Sequence, residues 1–350
     1  MDIRVRCLRL EPGLVLTMAA PATGTTLPPH VRPPWVPEEV TPSRQSDFVL
    51  SRTAVMAAQA IFEVGGLVVA DGRRPVFPPG LRGSISHSQG RIGVCLGTDR
   101  PEVVAVGVDI ERHVRLSIEG LRYVATPAER DWVLADKCPG RTLTGLFAAK
   151  EAIYKSVSAL ASRPPGFLDV ELRPAGDRTY RVTWPADLLP AGLTLDATVT
   201  CVDDYVVAHA VVRTDRAELM PHRYPPPAKP SGISVSSTGD AFRARRAVLA
   251  DDRYLGGRYP GRRIYPGAFV LDSVLRSAEA HLGKPLRIED IPAIALTGIL
   301  GPGDTLYLDA ECADLPDSFQ VRAACTDQSG AAVATLTVHF KPSGPAEPGA

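Results

Sequence analysis

Three carboxylates and two lysines stand in otherwise apolar surroundings within two short segments, Val106-Gly107-Val108-Asp109-Ile110-Glu111 and Phe147-Ala148-Ala149-Lys150-Glu151-Ala152-Ile153-Tyr154-Lys155. Val103 to Val108 reads as a buried β-branched strand, so Asp109 and Glu111, two residues apart, leave its end on the same side. Converging hard oxygen ligands suit Mg²⁺, which takes one or two carboxylates together with waters and substrate phosphates. In the second segment Leu143, Leu146, Phe147, Ala149, Ile153 and Tyr154 recur at helical spacing, with Glu151 and Lys155 at i and i+4 on one edge. This helix offers a third metal ligand and a cation one turn away. Taken singly, the first segment is an ordinary strand end and the second an ordinary solvated ion-pair helix.

The elements that must position these groups are legible in outline. Helical patterns run over about 48–65, 117–136 and 142–161, and strands lie near 92–96, 103–109, 178–184, 194–201 and 205–213. This is an α+β pattern of mostly antiparallel strands with interspersed helices. Prolines mark the seams. Six lie between Pro28 and Pro42, which reads as a surface loop, and Pro221 to Pro230, with Pro225-Pro226-Pro227, reads as an extended interdomain linker. A chain of 350 residues suggests two domains, each large enough for its own core. The expected organisation is a first domain over 1–218, a linker over 219–232, a second domain over 233–343 and a tail over 344–350.

Equal numbers of basic and acidic residues, 39 each, give no global field for nucleic acid or an anionic membrane. The six cysteines lie far apart without a C-x-x-C, which argues against a disulfide framework or a structural zinc site. They read as small apolar residues of a reducing cytosol. No apolar run approaches the ~20 residues that span a bilayer, and no signal peptide opens the chain, so a soluble cytoplasmic protein is expected.

The two segments resemble the signature of the 4′-phosphopantetheinyl transferases, which activate acyl and peptidyl carrier proteins: a G-[IV]-D-x-E strand end, then an aromatic-x-x-K-E-[AS]-x-x-K helix. Gly83-Ser84-Ile85-Ser86-His87-Ser88 resembles that family's S-[IV]-S-H-[ST] strand. The resemblance implies a pseudo-duplicated α/β pair with the site where its halves meet, and coenzyme A as the substrate. It implies that Asp109, Glu111 and Glu151 hold Mg²⁺ on the pyrophosphate while a carrier-protein serine attacks the β-phosphorus. Lys155 becomes the cation or proton donor at the departing 3′,5′-ADP, and Lys150 a second phosphate contact.

Arg44, Phe48 and Arg52 reproduce the family's R-x-x-x-F-x-x-x-R helix, so the arginines are expected to clamp phosphate. Asp71-Gly72-Arg73-Arg74-Pro75 resembles its G-[KR]-P turn, with either Arg73 or Arg74 as the binder beside Gly72. His87 is the expected ligand of the 3′-phosphate, and Ser86 beside it an expected coenzyme A contact. Glu151 is a candidate base for the serine proton. Glu129 of Thr126-Pro127-Ala128-Glu129 resembles an assisting carboxylate, and it equally fits N3 of a capping box opened by Thr126.

Beyond the linker, an apolar helix from Ala268 to His281 precedes strands near 292–299, 304–312, 319–325 and 331–341. The segment resembles the hot-dog fold of 3-hydroxyacyl-carrier-protein dehydratases, whose signature is H-F-x-G-x-P-x-x-P-G followed by an acidic helix. Pro260-Gly261, Pro266-Gly267 and Asp272 fit that frame, as does the later turn Gly301-Pro302-Gly303-Asp304. Arg258 occupies the catalytic histidine position, and a guanidinium stays protonated and cannot remove an α-proton.

The fold class expected is therefore α+β, a pseudo-duplicated transferase fold followed by a single hot-dog domain. The function expected is Mg²⁺-dependent transfer to an acyl or peptidyl carrier protein, with a non-dehydrating C-terminal unit. An active dehydratase, or a scaffold that only binds carrier proteins, are the rivals. The single hot-dog unit is expected to pair edge to edge with a second copy, and its removal to leave a soluble monomeric transferase.

Overall fold

A computed structural model of the chain describes residues 2–22, 36, 40–64, 68–71, 74–113, 118–176, 178–216, 232–249 and 266–343. The first half-unit contains β1 (Ile3–Glu11), β2 (Leu14–Pro21), α1 (Pro42–Ile61), the short pair β3 (Val69–Asp71) and β4 (Arg74–Val76), then β5 (Arg82–Ser88) and β6 (Ile92–Thr98). The second contains β7 (Val103–Arg112), α2 (Leu121–Val124), α3 (Pro127–Ala135), α4 (Pro139–Val157), β8 (Glu171–Gly176), β9 (Thr179–Thr183), β10 (Leu193–Val202) and β11 (Tyr205–Thr214). The third unit runs β12 (Ile233–Thr238), β13 (Ala241–Ala247), α5 (Pro266–Leu282), β14 (Leu286–Leu296), β15 (Thr305–Leu315), β16 (Ser318–Thr326) and β17 (Ala332–Pro342).

The two half-units repeat one scheme, a helix laid on antiparallel strands: α1 covers β2 and β6, and α4 covers β7 and β11. Glycine makes each approach possible. A Cβ at Gly93 would stand 2.4 Å from the backbone N of Ser51 in α1, and one at Gly107 would stand 1.8 Å from the Ala152 carbonyl oxygen in α4. The opposite faces meet in a dry layer of Leu14, Leu16, Met18, Leu96, Val106, Val108, Ile110 and Val207. On the outer side of β7 and β11, Leu143, Leu146, Ala149, Ile153 and Val157 of α4 bury one stripe at helical spacing. Pro139 stands at the start of α4, where a missing N–H costs nothing.

The third unit is a hot-dog fold: α5 lies against an antiparallel sheet in which β14, the strand after the helix, pairs with β17. Among the described residues this sheet does not end at β14. It runs β12-β13-β15-β16-β17-β14-β1-β2-β6-β5, ten strands through the third unit and into the first half-unit. The β14 edge of the hot-dog unit is occupied by β1 of the same chain, with Ile3 opposite Ile294 and Val5 opposite Ile291. Most of the proline-rich segments between Pro28 and Pro42 and over 219–232, and the tail over 344–350, lie outside the described residues. No helix among the described residues is long and apolar enough to cross a membrane.

Candidate functional site

The seam between the half-units is where the end of β7 meets β5 and α4. Asp109 is 5% exposed there. Its Oδ1 accepts a hydrogen bond from Lys155 Nζ at 2.7 Å and another from Ser86 Oγ at 2.9 Å. Lys155 Nζ also donates to Ser86 Oγ and to the Val108 carbonyl, both at 3.0 Å. One strand further back, the Ser84 hydroxyl accepts from the Val108 N–H at 3.1 Å, which holds β7 in register beside β5. Ser86, expected to touch the cofactor, is buried and instead orients the Asp109 carboxylate. The alternating buried serines of β5, Ser84, Ser86 and Ser88, face this seam.

The carboxylates feel one another strongly. Burial and then the charge of Asp109 push Glu111 up to about 7, with Glu151 adding and Lys155 opposing. Burial and then Asp109 likewise raise the Glu151 carboxyl, against Lys155. Among the described residues no three such side chains stand closed on a metal position. The donor set nevertheless fits Mg²⁺: Asp109 Oδ2 is buried without a hydrogen-bond partner, and two further carboxylates are strained by mutual repulsion that a divalent cation would relieve.

A stability prediction follows from Glu111. A folded-state pKa above the usual carboxylate value favours the protonated form, so its contribution is present at low pH and lost as pH rises through about 7. The metal-free protein is therefore expected to lose about 1 to 2 kcal/mol between pH 5 and 8, the figure reduced for partial exposure. Denaturant unfolding should show this slope in wild type and a shallower one in Glu111→Gln, where Glu151 still contributes; equal slopes refute the assignment.

Lys150 and Glu129 require correction. Lys150 Nζ, on a side chain 1% exposed, donates to Glu129 Oε2 at 2.6 Å and to the Phe167 and Val170 carbonyls at 2.6 and 2.9 Å. All three of its donors are used inside the second half-unit, so it cannot serve as a phosphate contact. Glu129 closes the capping box with Thr126 and accepts from the Leu172 N–H at 2.7 Å. It ties α3, α4 and β8 together, the capping-box alternative of the two the sequence offered. The helix period explains the exchange, since Lys150 faces into the core where Glu151 and Lys155 lie on the edge toward Asp109.

Arg44, Arg52 and His87, the residues expected to meet phosphate, line one cavity. A cavity of about 380 Å³ is lined by Arg44, Asp47, Phe48, Ser51, Arg52, Ile85 and His87. Arg52 Nη1 donates to the Val68 carbonyl at 2.9 Å, and its guanidinium lies 5.3 Å from the Phe48 ring centre, which fixes the fork without consuming it. His87 Nδ1 stands 3.4 Å from Asp47 Oδ1, which also accepts the Gly90 N–H at 2.7 Å. Gln89 and Gly90 both adopt positive φ in the tight turn after His87. Asp47 escaped the sequence reading although it shares the helix face of Arg44, three residues on. A second cavity of about 380 Å³ opens across Ile85 and is lined by Phe77, Arg82, Val106, Tyr154, Lys155 and Ser158. Gly72 and Arg73 lie outside the described residues, and Arg74 is placed only as the start of β4.

In the third unit, Asp272 is fully buried and its Oδ2 accepts from Arg246 Nη1 at 2.5 Å, while Arg276 Nε lies 3.5 Å from Oδ1. Asp272, which fits the acidic position of the dehydratase helix, is held in an internal ion pair. Arg246 was missed, yet the alternation Phe242, Ala244, Arg246 already places it on the buried face of β13. Gly267 packs against Met56 of α1, and Arg258 lies outside the described residues.

Fold and seam together define a two-half α/β transferase fold joined to a hot-dog unit. The 4′-phosphopantetheinyl transferase superfamily matches residues 105–210, and the 4′-phosphopantetheinyl transferase N-terminal domain matches residues 36–96. The 4′-phosphopantetheinyl transferase PptT of Mycobacterium tuberculosis is 32% identical over 167 residues, 43% of this chain and 70% of that protein. The 3-hydroxyacyl-[acyl-carrier-protein] dehydratase FabZ of Chlamydia trachomatis is 31% identical over 106 residues, 28% of this chain and 69% of that protein. Thermotoga maritima holo-[acyl-carrier-protein] synthase, a solved structure, is 19% identical with a TM-score of 0.29, covering 39% of this chain and 71% of its own. The chain belongs to the 4′-phosphopantetheinyl transferases and carries a dehydratase-like hot-dog unit in its last third.

Proposed function

We propose that this chain transfers the 4′-phosphopantetheine group of coenzyme A to a serine of an acyl or peptidyl carrier protein, with Mg²⁺ held by Asp109, Glu111 and Glu151. The observation that carries the reading is the buried Asp109, bonded to Lys155 through one oxygen, its other oxygen open, between two carboxyls of raised pKa. Mg²⁺ would neutralise pyrophosphate charge at this seam. Arg44, Arg52 and His87 receive the anionic nucleotide end. Glu151, whose carboxyl is made more basic by burial and the charge of Asp109, takes the serine proton as the serine oxygen bonds to the β-phosphorus. The bond to 3′,5′-ADP breaks, and Lys155, 28% exposed beside the cleft, meets the developing charge. Incubating an apo carrier protein with coenzyme A and Mg²⁺ should add the phosphopantetheine mass; an unchanged carrier mass under those conditions sinks the reading.

Lys155→Ala is expected to lower kcat about a hundredfold while the KM for coenzyme A changes about twofold or less, since the contact strengthens only as charge departs. An effect confined to KM would demote Lys155 to a binding contact. The unit over 233–343 is read as non-dehydrating, because Asp272 is committed to Arg246 and Arg276. The setting proposed is polyketide, fatty-acid or nonribosomal-peptide biosynthesis in the cytoplasm, where six free thiols are at home.

A further inference from the structure

We propose that the hot-dog unit supplies the packing partner of the transferase half-unit, and that Gly267 and Met56 are positioning residues that set the pose of the coenzyme A phosphate clamp. This rests on the function proposed above. The β14 edge pairs with β1, and one core takes Ile3, Val5, Val55 and Met56 from the first half-unit with Phe269, Val274 and Ile291 from the third. A β-edge and an apolar helix face that would otherwise be exposed are both covered from within the chain.

The contact reaches the clamp through α1. Arg44, Phe48, Arg52 and Met56 follow one another at i+4, so they form a single row along that helix. The first three line the phosphate cavity, and the fourth meets α5. A Cβ at Gly267 would stand 1.9 Å from Met56 Sδ, so a side chain at 267 would have to displace the Met56 thioether that packs there. A second tether holds Glu63, just past the end of α1: Arg276 pairs with Glu63 and reaches back to Asp272, which Arg246 holds in turn. Two fixed points seven residues apart leave α1 little freedom to rotate about its axis. The angle at which Arg44 and Arg52 face the cavity is thereby set from the third unit, and the residue at the dehydratase acid position serves as an anchor.

The test uses the full chain. In Gly267→Ala the new methyl pushes on Met56, and the KM for coenzyme A is expected to rise about tenfold with kcat within about twofold. Adding Met56→Ala makes room for that methyl and should return KM toward wild type; a merely structural role would lower the amount of active enzyme and leave KM alone. Wild-type KM in soluble Gly267→Ala, or no recovery in the double variant, overturns the inference while leaving the transferase reading intact. Wild type without carrier-protein transfer sinks both. Should Gly267→Ala not fold, a protease site placed within residues 219–231 decides. After cleavage the two pieces should migrate as one and keep the wild-type KM, or, if they part, the 1–218 piece should lose affinity for coenzyme A. A separated 1–218 piece with wild-type KM overturns the proposal.

Discussion

Asp109→Ala is expected to lower phosphopantetheine transfer about a thousandfold, roughly 4 kcal/mol of transition-state stabilisation, with the fold retained. The size follows from what is lost together: the buried Asp109 Oδ2, which has no hydrogen-bond partner, and the anchor that holds Lys155 and Ser86 at the seam. The fold survives because Lys155 is partly exposed and keeps the Val108 carbonyl and Ser86 as acceptors, so no fully buried charge is stranded. Chelation by EDTA should reproduce the loss in wild type and have no further effect on the variant. Circular dichroism and carrier-protein mass shift, measured on one preparation, check both halves of the expectation. Near-wild-type transfer in the variant removes Asp109 from the site.

The second large effect lies in the hot-dog unit. Asp272→Ala leaves the Arg246 guanidinium, 1% exposed and stacked 4.3 Å from the Phe269 ring centre, buried without its carboxylate. Removing one partner of such a pair costs about 3 to 5 kcal/mol, whereas replacing both with apolar residues of similar volume is close to neutral. Asp272→Ala should therefore shift the denaturant midpoint strongly, and Arg246→Met with Asp272→Leu should recover most of the loss. Equal midpoints for Asp272→Ala and wild type would show that the pair contributes nothing. The unmodified protein should form no crotonyl product from a 3-hydroxyacyl carrier protein, since its acid position is held by two arginines. Clear dehydration would refute the non-dehydrating reading.

The sequence was informative where chemistry coincides with a local period. β7 is an apolar, largely β-branched run, so Asp109 and Glu111 could be placed on one side of its end, and α4 carries an apolar stripe that leaves Glu151 and Lys155 on its edge. The Arg44, Phe48 and Arg52 row was legible for the same reason, as were α5 and the strands that follow it. Neither motif could say what a buried polar group would find. Lys150 sits one residue from Glu151, yet a rotation of about 100° per residue sends it into the core, where Glu129 and two carbonyls await it.

The amino-acid sequence by itself determined the acidic strand end, the lysine helix and the C-terminal apolar helix with the strands after it, because periods of 2 and 3.6 are set by neighbours along the chain, while the two-half and hot-dog architectures rested on family resemblance. Only the tertiary structure decided that Ser86 orients Asp109, that Glu129 caps and pairs with Lys150, and that Asp272 meets Arg246. It alone decided that β14 continues into β1 within one chain. Strand edges present the same N–H and C=O groups whatever their side chains, so which edge joins which is settled by loop reach and by the core that forms behind it: here Met56 of α1 against Gly267 of α5.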